Sequence, residues 1–225
     1  CYTSGAKQKP IAVESSHRAL INRLAWIWRD FPAERGEVAG SLSNISSVAF
    51  LIEIFAPLLQ GMPVVLLEQP GDRRKGSLFK DIADSRVARV MSSASTLQRA
   101  LTEAEANPSE ELADLALWIA HGQRLDIATI IRVEKQLPRT QLIQTYGCTE
   151  VSGPATAFSL DDLSTKATSV PVGKPVSNTQ VRVLDANEHL VPIGIAGEIW
   201  IGGDSLAKGY AGNQELTNQS FFVRG

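Results

Sequence analysis

Short, almost uniformly apolar runs recur along the chain, separated by stretches in which apolar residues return every three or four positions. The runs Met62-Pro-Val-Val-Leu-Leu67, Arg86-Val-Ala-Arg-Val-Met91, Leu115-Ala-Leu-Trp-Ile-Ala120 and Thr140-Gln-Leu-Ile-Gln144 suit buried strands, since a strand covered on both faces need not alternate. The stretches between them suit helices. Ser15 or Ser16 caps a helix in which Leu20, Leu24, Ile27 and Trp28 share one face. Ser95 to Ala106 and Asp126 to Leu137 have helix-forming composition and capping residues, and the second stops before Pro138. Strands alternating with helices imply a parallel sheet.

Beyond about Pro171 the pattern changes. Thr179-Gln-Val-Arg-Val-Leu-Asp185, a turn at Ala186-Asn-Glu188 and Gly197-Glu-Ile-Trp-Ile201 read as antiparallel strands. The expected class is therefore α/β, with parallel-sheet layers and flanking helices over residues 1–170 and a β-rich portion of the same domain over 171–225. Ala104-Glu-Ala-Asn-Pro-Ser-Glu-Glu111 and Gln69-Pro-Gly-Asp-Arg-Arg-Lys75 read as solvated connections, and no internal repeat is present.

Composition narrows the choice of partner. With 225 residues, 44% of them apolar, the chain can bury one substantial core. Its 22 basic and 24 acidic residues give a net charge of −2, too balanced for a broad footprint on a nucleic acid or an anionic membrane. A small ligand is the better expectation. Cys1 and Cys148 are the only cysteines, which argues against a disulfide or zinc framework and fits a reducing cytoplasm. No apolar run approaches the roughly 20 residues that span a bilayer, and no signal peptide precedes the first elements, so a soluble protein is expected.

Two segments carry chemistry. Gln144-Thr-Tyr-Gly-Cys-Thr-Glu150 joins a buried strand to a loop that ends in a hydroxyl and a carboxylate, groups suited to a nucleotide and its metal. Tyr2-Thr-Ser-Gly5 adds hydroxyls and a glycine whose backbone amides can wrap phosphate oxygens. Together with Gly197-Glu-Ile-Trp-Ile-Gly-Gly203 and Leu206-Ala-Lys-Gly-Tyr210, in this order and spacing, they resemble the adenylation domains of nonribosomal peptide synthetases, within the adenylate-forming ligases.

The resemblance implies a fragment of the large N-terminal subdomain of such an enzyme, with ATP and Mg2+ as cofactors. Thr149 and Glu150 match the motif residues that the family assigns to phosphate contact and magnesium coordination. Magnesium binds hard oxygens and is usually held by one or two carboxylates together with substrate phosphates. Tyr146 would lie against adenine, Gly147 completes the motif, and Gln144 stands where the family often has an adenine-contacting asparagine. His121-Gly-Gln-Arg124 occupies the place of a Gly-Gly-Glu-type segment beside adenine, which brings in Gly122 and Gln123. In the first loop Thr3, Ser4, Gly5 and Pro10 match. Lys7 and Gln8 replace a Thr-Gly pair, Ile11 and Ala12 replace Lys-Gly, and Lys7 or Lys9 supplies the compensating charge.

The substrate reading rests on Ser46-Ser-Val-Ala-Phe-Leu-Ile-Glu-Ile-Phe55. Anchoring on Glu53-Ile-Phe55 puts Val48 where amino-acid-activating members carry an aspartate that pairs with the substrate's α-ammonium. An ammonium facing Val48 would be desolvated without a counter-charge, which disfavours ordinary α-amino acids. The same alignment places Ala49, Ile52, Ile119, His121, Thr145, Gly153 and Pro154 around the substrate pocket. The implied reaction joins ATP and a carboxylic acid, for example an α-keto acid, into an acyl-adenylate for transfer to the phosphopantetheine thiol of a peptidyl carrier protein. Two alternatives are an acid–coenzyme A ligase and a degenerate adenylation-like scaffold. The chain begins inside the first motif and ends before the segments where the family places a ribose-binding aspartate and a mobile lid. It reads as a fragment, expected to be inactive in isolation.

Overall fold

The structure, a computed structural model, describes residues 1–3, 10–68, 77–106 and 112–222. Strands β1 (Ala39–Ser41), β2 (Val64–Leu66), β3 (Arg89–Ser93), β4 (Leu117–His121) and β5 (Gln141–Cys148) form the parallel part of one sheet. β6 (Gly153–Ser159) and β7 (Lys174–Pro175) extend it antiparallel, giving the order β2-β1-β3-β4-β5-β6-β7. β8 (Thr179–Leu184) and β9 (Glu198–Gly203) form a separate antiparallel pair. Among the described residues no helix is long and apolar enough to cross a membrane.

The sheet is covered on both faces, which explains its apolar runs. In β4, Trp118 and Ala120 join one core with Leu78, Ile82, Leu97 and Leu101, whereas Leu117 and Ile119 join a second core with Leu24, Trp26, Ile27 and Ile52. Neighbouring strands divide in the same period-two manner: Val90 and Leu142 serve the first core, Met91 and Ile143 the second. The helices are α1 (His17–Asp30), α2 (Val48–Leu58), α3 (Leu78–Asp84), α4 (Ala94–Ala106), α5 (Ile127–Gln136) and α6 (Gln214–Ser220).

Side-chain caps fix the helix starts. The Ser16, Ser47 and Ser77 hydroxyls and the Asp126 carboxylate accept the amides of Ala19, Phe50, Lys80 and Thr129. In α4 the capping oxygen belongs to Ser93, at the end of β3, rather than to Ser95. On α1, Leu24 and Ile27 are buried as their spacing predicts, and Leu20 and Trp28 pack partly against the same core. The buried face also includes Asn22 and Arg23, which tie α1 to the β8–β9 pair. Asn22 donates to Ser177 O and Ser205 Oγ at 3.1 and 2.7 Å, and Arg23 donates to Thr179 Oγ1 at 3.0 Å and Val151 O at 3.3 Å. Burial lowers the Arg23 pKa to about 10.

Three expectations need correction. β5 continues through Cys148, so Thr145-Tyr-Gly-Cys148 is strand rather than loop, with a bulge at Tyr146/Gly147 where the antiparallel register of β6 shifts. The large sheet is mixed, because β6 turns back along β5. Finally, Arg86 has φ of 52° and lies in the turn before β3, so that strand begins three residues later than its apolar run.

Candidate active site

A cleft of about 1000 Å³ lies where the parallel strands end. Side chains carried out of the carboxyl ends of several strands converge on one crevice, the usual location of ligands on such sheets. Asn44, Ser46 and Ser47 come from the loop after β1, and Val48, Ala49 and Ile52 from the first turns of α2. Met91 comes from β3, His121 and Gly122 from the end of β4, and Thr145, Gly147 and Cys148 from β5. Thr149 and Glu150 follow on a single 3-10 turn (Thr149–Val151), and Gly153 and Pro154 open β6. Tyr2, Thr3 and Pro10 close the cleft from the amino-terminal side. Tyr2, Thr3 and Pro10 therefore share one cavity with the Thr149–Glu150 corner.

The loop that carries Asn44 to Ser47 is fastened by a buried carboxylate. Glu53 Oε2 accepts the Ser41 hydroxyl at 2.9 Å and the amides of Leu42 and Ser43 at 2.8 and 2.9 Å, and Oε1 accepts the Ser43 hydroxyl. Burial raises the Glu53 pKa, against the opposing pull of these hydrogen bonds. The carboxylate thus ties α2 to the end of β1.

The corner is held from the carboxyl-terminal side. Ala207 N donates to Glu150 O at 2.8 Å, and the Tyr210 hydroxyl donates to Glu150 Oε1 at 2.9 Å. The same segment pairs with residues 12–14: Lys208 N donates to Glu14 O, Glu14 N to Gly209 O and Ala211 N to Ala12 O, at 2.8, 2.9 and 2.9 Å. Close backbone approach also shapes the corner. A Cβ on Gly147 would lie 2.0 Å from Gly153 O, so no side chain fits there.

Burial keeps His121 and Cys148 uncharged near neutrality. Burial lowers the His121 pKa to about 4, so its ring is uncharged near neutrality, and its Nε2 is buried without a partner among the described residues. Part of Cys148 reaches solvent, yet desolvation of the thiol and then the charge of Glu150 raise its pKa to about 11. A thiol held protonated is a poor nucleophile.

Of the predicted site residues, Thr3, Val48, Ala49, Ile52, His121, Gly122, Thr145, Gly147, Thr149, Glu150, Gly153 and Pro154 line the cleft. The Thr3 hydroxyl accepts the Ile11 amide at 3.0 Å. Four others lie outside the lining. The Gln144 amide is taken up by Leu125 N at 2.7 Å and Pro171 O at 2.9 Å, fixing the loop after β4 to the segment before β7. Ile119 is packed in the second core, Tyr146 is 39% exposed, and Gln123 is exposed, with its main-chain N–H donating to His121 O. Ser4, Gly5 and Lys9 fall outside the described residues. Met91 and Asn44 line the cleft without having been singled out, and Tyr210 reaches the corner from a motif with no evident chemistry. Met91 is the last apolar residue of its run before Ser92-Ser93, the signal that could have marked it.

The donor set fits a hard cation that arrives with its own ligands. Among the described residues no group of three or more His, Cys, Asp or Glu is placed to hold a metal alone. One carboxylate beside a roomy cleft suits Mg2+ bound mainly through phosphates and water.

The family model for AMP-binding enzymes matches residues 1–211. A mycosubtilin synthase of Bacillus subtilis is 32% identical over 227 residues, covering 98% of this chain and 9% of its own length. Tyrocidine synthase 3 of Brevibacillus parabrevis is 30% identical over 220 residues, covering 98% of this chain and 3% of its own. The chain thus spans a small part of these curated relatives. Crystal structures of the nonribosomal peptide synthetase FmoA3, one of them an AMPPNP-bound form, superpose with a TM-score of 0.88 at 26% identity. They cover 98% of this chain and 23% and 24% of theirs. Sequence match and superposition agree, and the chain belongs to the family of AMP-binding enzymes, with the α/β fold of the N-terminal subdomain of adenylate-forming enzymes.

Proposed function

We propose that this chain is the part of an adenylation domain that binds ATP and a carboxylic acid lacking an α-ammonium, such as an α-keto acid. The observation that carries the substrate reading is Val48. It lines the cleft and is buried, and among the described lining residues the only carboxylate is Glu150, at the hydroxyl-bearing corner. An α-ammonium beside Val48 would be stripped of water without a counter-charge, at a cost of several kcal/mol.

The substrate carboxylate is the nucleophile. One of its oxygens attacks the α-phosphorus, the bond to the departing pyrophosphate breaks, and an acyl-adenylate results. Val48, Ala49 and Ile52 orient the acid by shape, Thr149 contacts phosphate and Glu150 holds the metal. Magnesium, when bound, offsets phosphate charge. Catalysis is then positioning and electrostatics, without a covalent enzyme intermediate. The AMPPNP-bound form of FmoA3 supports a triphosphate ligand, and the peptide synthetase relatives support transfer to a carrier-protein phosphopantetheine.

Acid-dependent pyrophosphate exchange by the full-length protein, run across amino, keto, hydroxy and aryl acids, tests the proposal. Preference for keto or other acids without an ammonium is expected. Strong preference for an α-amino acid would overturn the substrate reading, and absence of MgATP binding would leave the scaffold alternative.

A further inference from the structure

The Leu206-Ala-Lys-Gly-Tyr210 segment does more than close a turn. Its main chain pairs with residues 12–14 and with Glu150 O, so it is fixed to both walls of the nucleotide corner. Tyr210 is itself anchored: its amide donates to Thr217 Oγ1 at 2.9 Å, and its ring packs edge-on against Phe221 at 5.6 Å. From that support the hydroxyl reaches Glu150 Oε1 at 2.9 Å. A carboxylate on a short 3-10 turn has rotamer freedom of its own, and a donor on one oxygen selects a single orientation. Groups that hydrogen-bond a metal ligand in this way orient it and tune its affinity.

We propose that Tyr210 is a positioning residue for Glu150, holding one carboxylate oxygen so that the remaining lone pairs face the cation of a bound nucleotide. The inference rests on the nucleotide reading above. Tyr210 touches neither ATP nor acid in this role and acts only through Glu150. The role also explains a tyrosine here in preference to phenylalanine, since the ring packing on Phe221 needs no hydroxyl.

The test compares the full-length wild-type protein with Tyr210→Phe. ATP binding is titrated calorimetrically at a series of Mg2+ concentrations and in chelator, and Mn2+ binding in the presence of ATP is followed by electron paramagnetic resonance. The Mg2+ or Mn2+ concentration for half-saturation should rise about 10-fold or more in Tyr210→Phe, while metal-free ATP affinity stays unchanged. A residue that merely supported the fold would change both together. With Glu150→Gln as background, adding Tyr210→Phe should have no further effect on metal dependence, because the tyrosine works through the carboxylate. If phenylalanine lowers the melting temperature, 4-fluorophenylalanine at 210 keeps a para substituent but has no O–H donor, and carries the same comparison. Identical metal dependence in wild type and variant, or full additivity with Glu150→Gln, overturns the role of Tyr210 and leaves the nucleotide reading standing. A wild-type protein that binds no ATP at any Mg2+ concentration overturns both.

Discussion

Replacing Glu53 by alanine and by glutamine separates the carboxylate's charge from its hydrogen bonds. In Glu53→Ala, two main-chain amides and two hydroxyls at the end of β1 lose their acceptor. Lost acceptors for buried amides cost about 1–3 kcal/mol each, the truncation leaves a cavity, and removing a desolvated charge returns part of the loss. A net destabilisation of about 3–4 kcal/mol follows. For a chain of this size that lowers Tm by roughly 10 °C. Glutamine keeps one oxygen for the three donors on Oε2 and turns its amide toward the Ser43 hydroxyl, which can rotate to accept. Its cost should stay within about 1 kcal/mol. The sign of the pH dependence follows from the raised pKa of Glu53. The folded state holds this proton more tightly than the unfolded chain, so wild-type stability from this group is greatest at low pH and is lost as pH rises through the folded pKa, above the unfolded value of 4.5. Glutamine lacks that loss, so its stability relative to wild type should improve across the same window. Thermal unfolding by circular dichroism at several pH values measures all of this. An alanine variant melting within about 2 °C of wild type, less than about 1 kcal/mol, or a glutamine variant as damaged as alanine, would refute the reasoning.

Three further outcomes are expected. Gly147→Ala forces a Cβ to within 2.0 Å of Gly153 O, so β5 and β6 must separate at the bulge; a stability loss of about 3 kcal/mol or more is expected, together with loss of ATP binding, read by thermal melting and calorimetry. His121 has its folded pKa lowered from 6.5 to about 4, so its stabilising contribution is present above pH 6.5 and is lost as pH falls toward 4; His121→Phe should flatten the wild-type decline in Tm over that window, while the imidazole proton resonances of His121 stay in their neutral position at pH 6. Val48→Asp should reduce exchange with keto acids about 10-fold or more, since 1.4 kcal/mol already corresponds to tenfold, and should bring in α-amino acids; unchanged preference would count against Val48 as the selecting position.

The doubly covered strands were the most legible part of the fold, because β3, β4 and β5 each carry consecutive apolar residues, Val90-Met91, Leu117-Trp-Ile-Ala120 and Leu142-Ile143, and helices of ordinary spacing separate them. β1 was not legible. Ala39-Gly40-Ser41 is short and small-sided, and the reason is packing: a Cβ on Gly40 would meet Leu67 Cδ1 at 2.5 Å. β6 begins with Gly-Pro, which ordinarily demotes a strand, and it is tolerated where the corner turns back along β5. At the site, Thr149, Glu150 and Val48 could be named from local motifs alone. The link from Tyr210 to Glu150 could not, because it joins positions 60 residues apart and depends on how residues 207–211 pair with residues 12–14. The engagement of Gln144 with Leu125 and Pro171 was hidden for the same reason, since an amide's partners are set by tertiary approach and not by its neighbours in sequence.

The pairing of Ala12–Glu14 with Lys208–Ala211 sets an order of events for biosynthesis. A ribosome must release residues 208–211 before residues 12–14, about 200 positions earlier, find their partner, so the parallel sheet can collapse while the Thr149–Glu150 corner is still open. Contacts between positions so distant in sequence close slowly, after local helices and neighbouring strands have formed. Closure of the cleft therefore follows packing of the sheet, and a product terminated before residue 207 would carry a packed interior with an unfinished mouth.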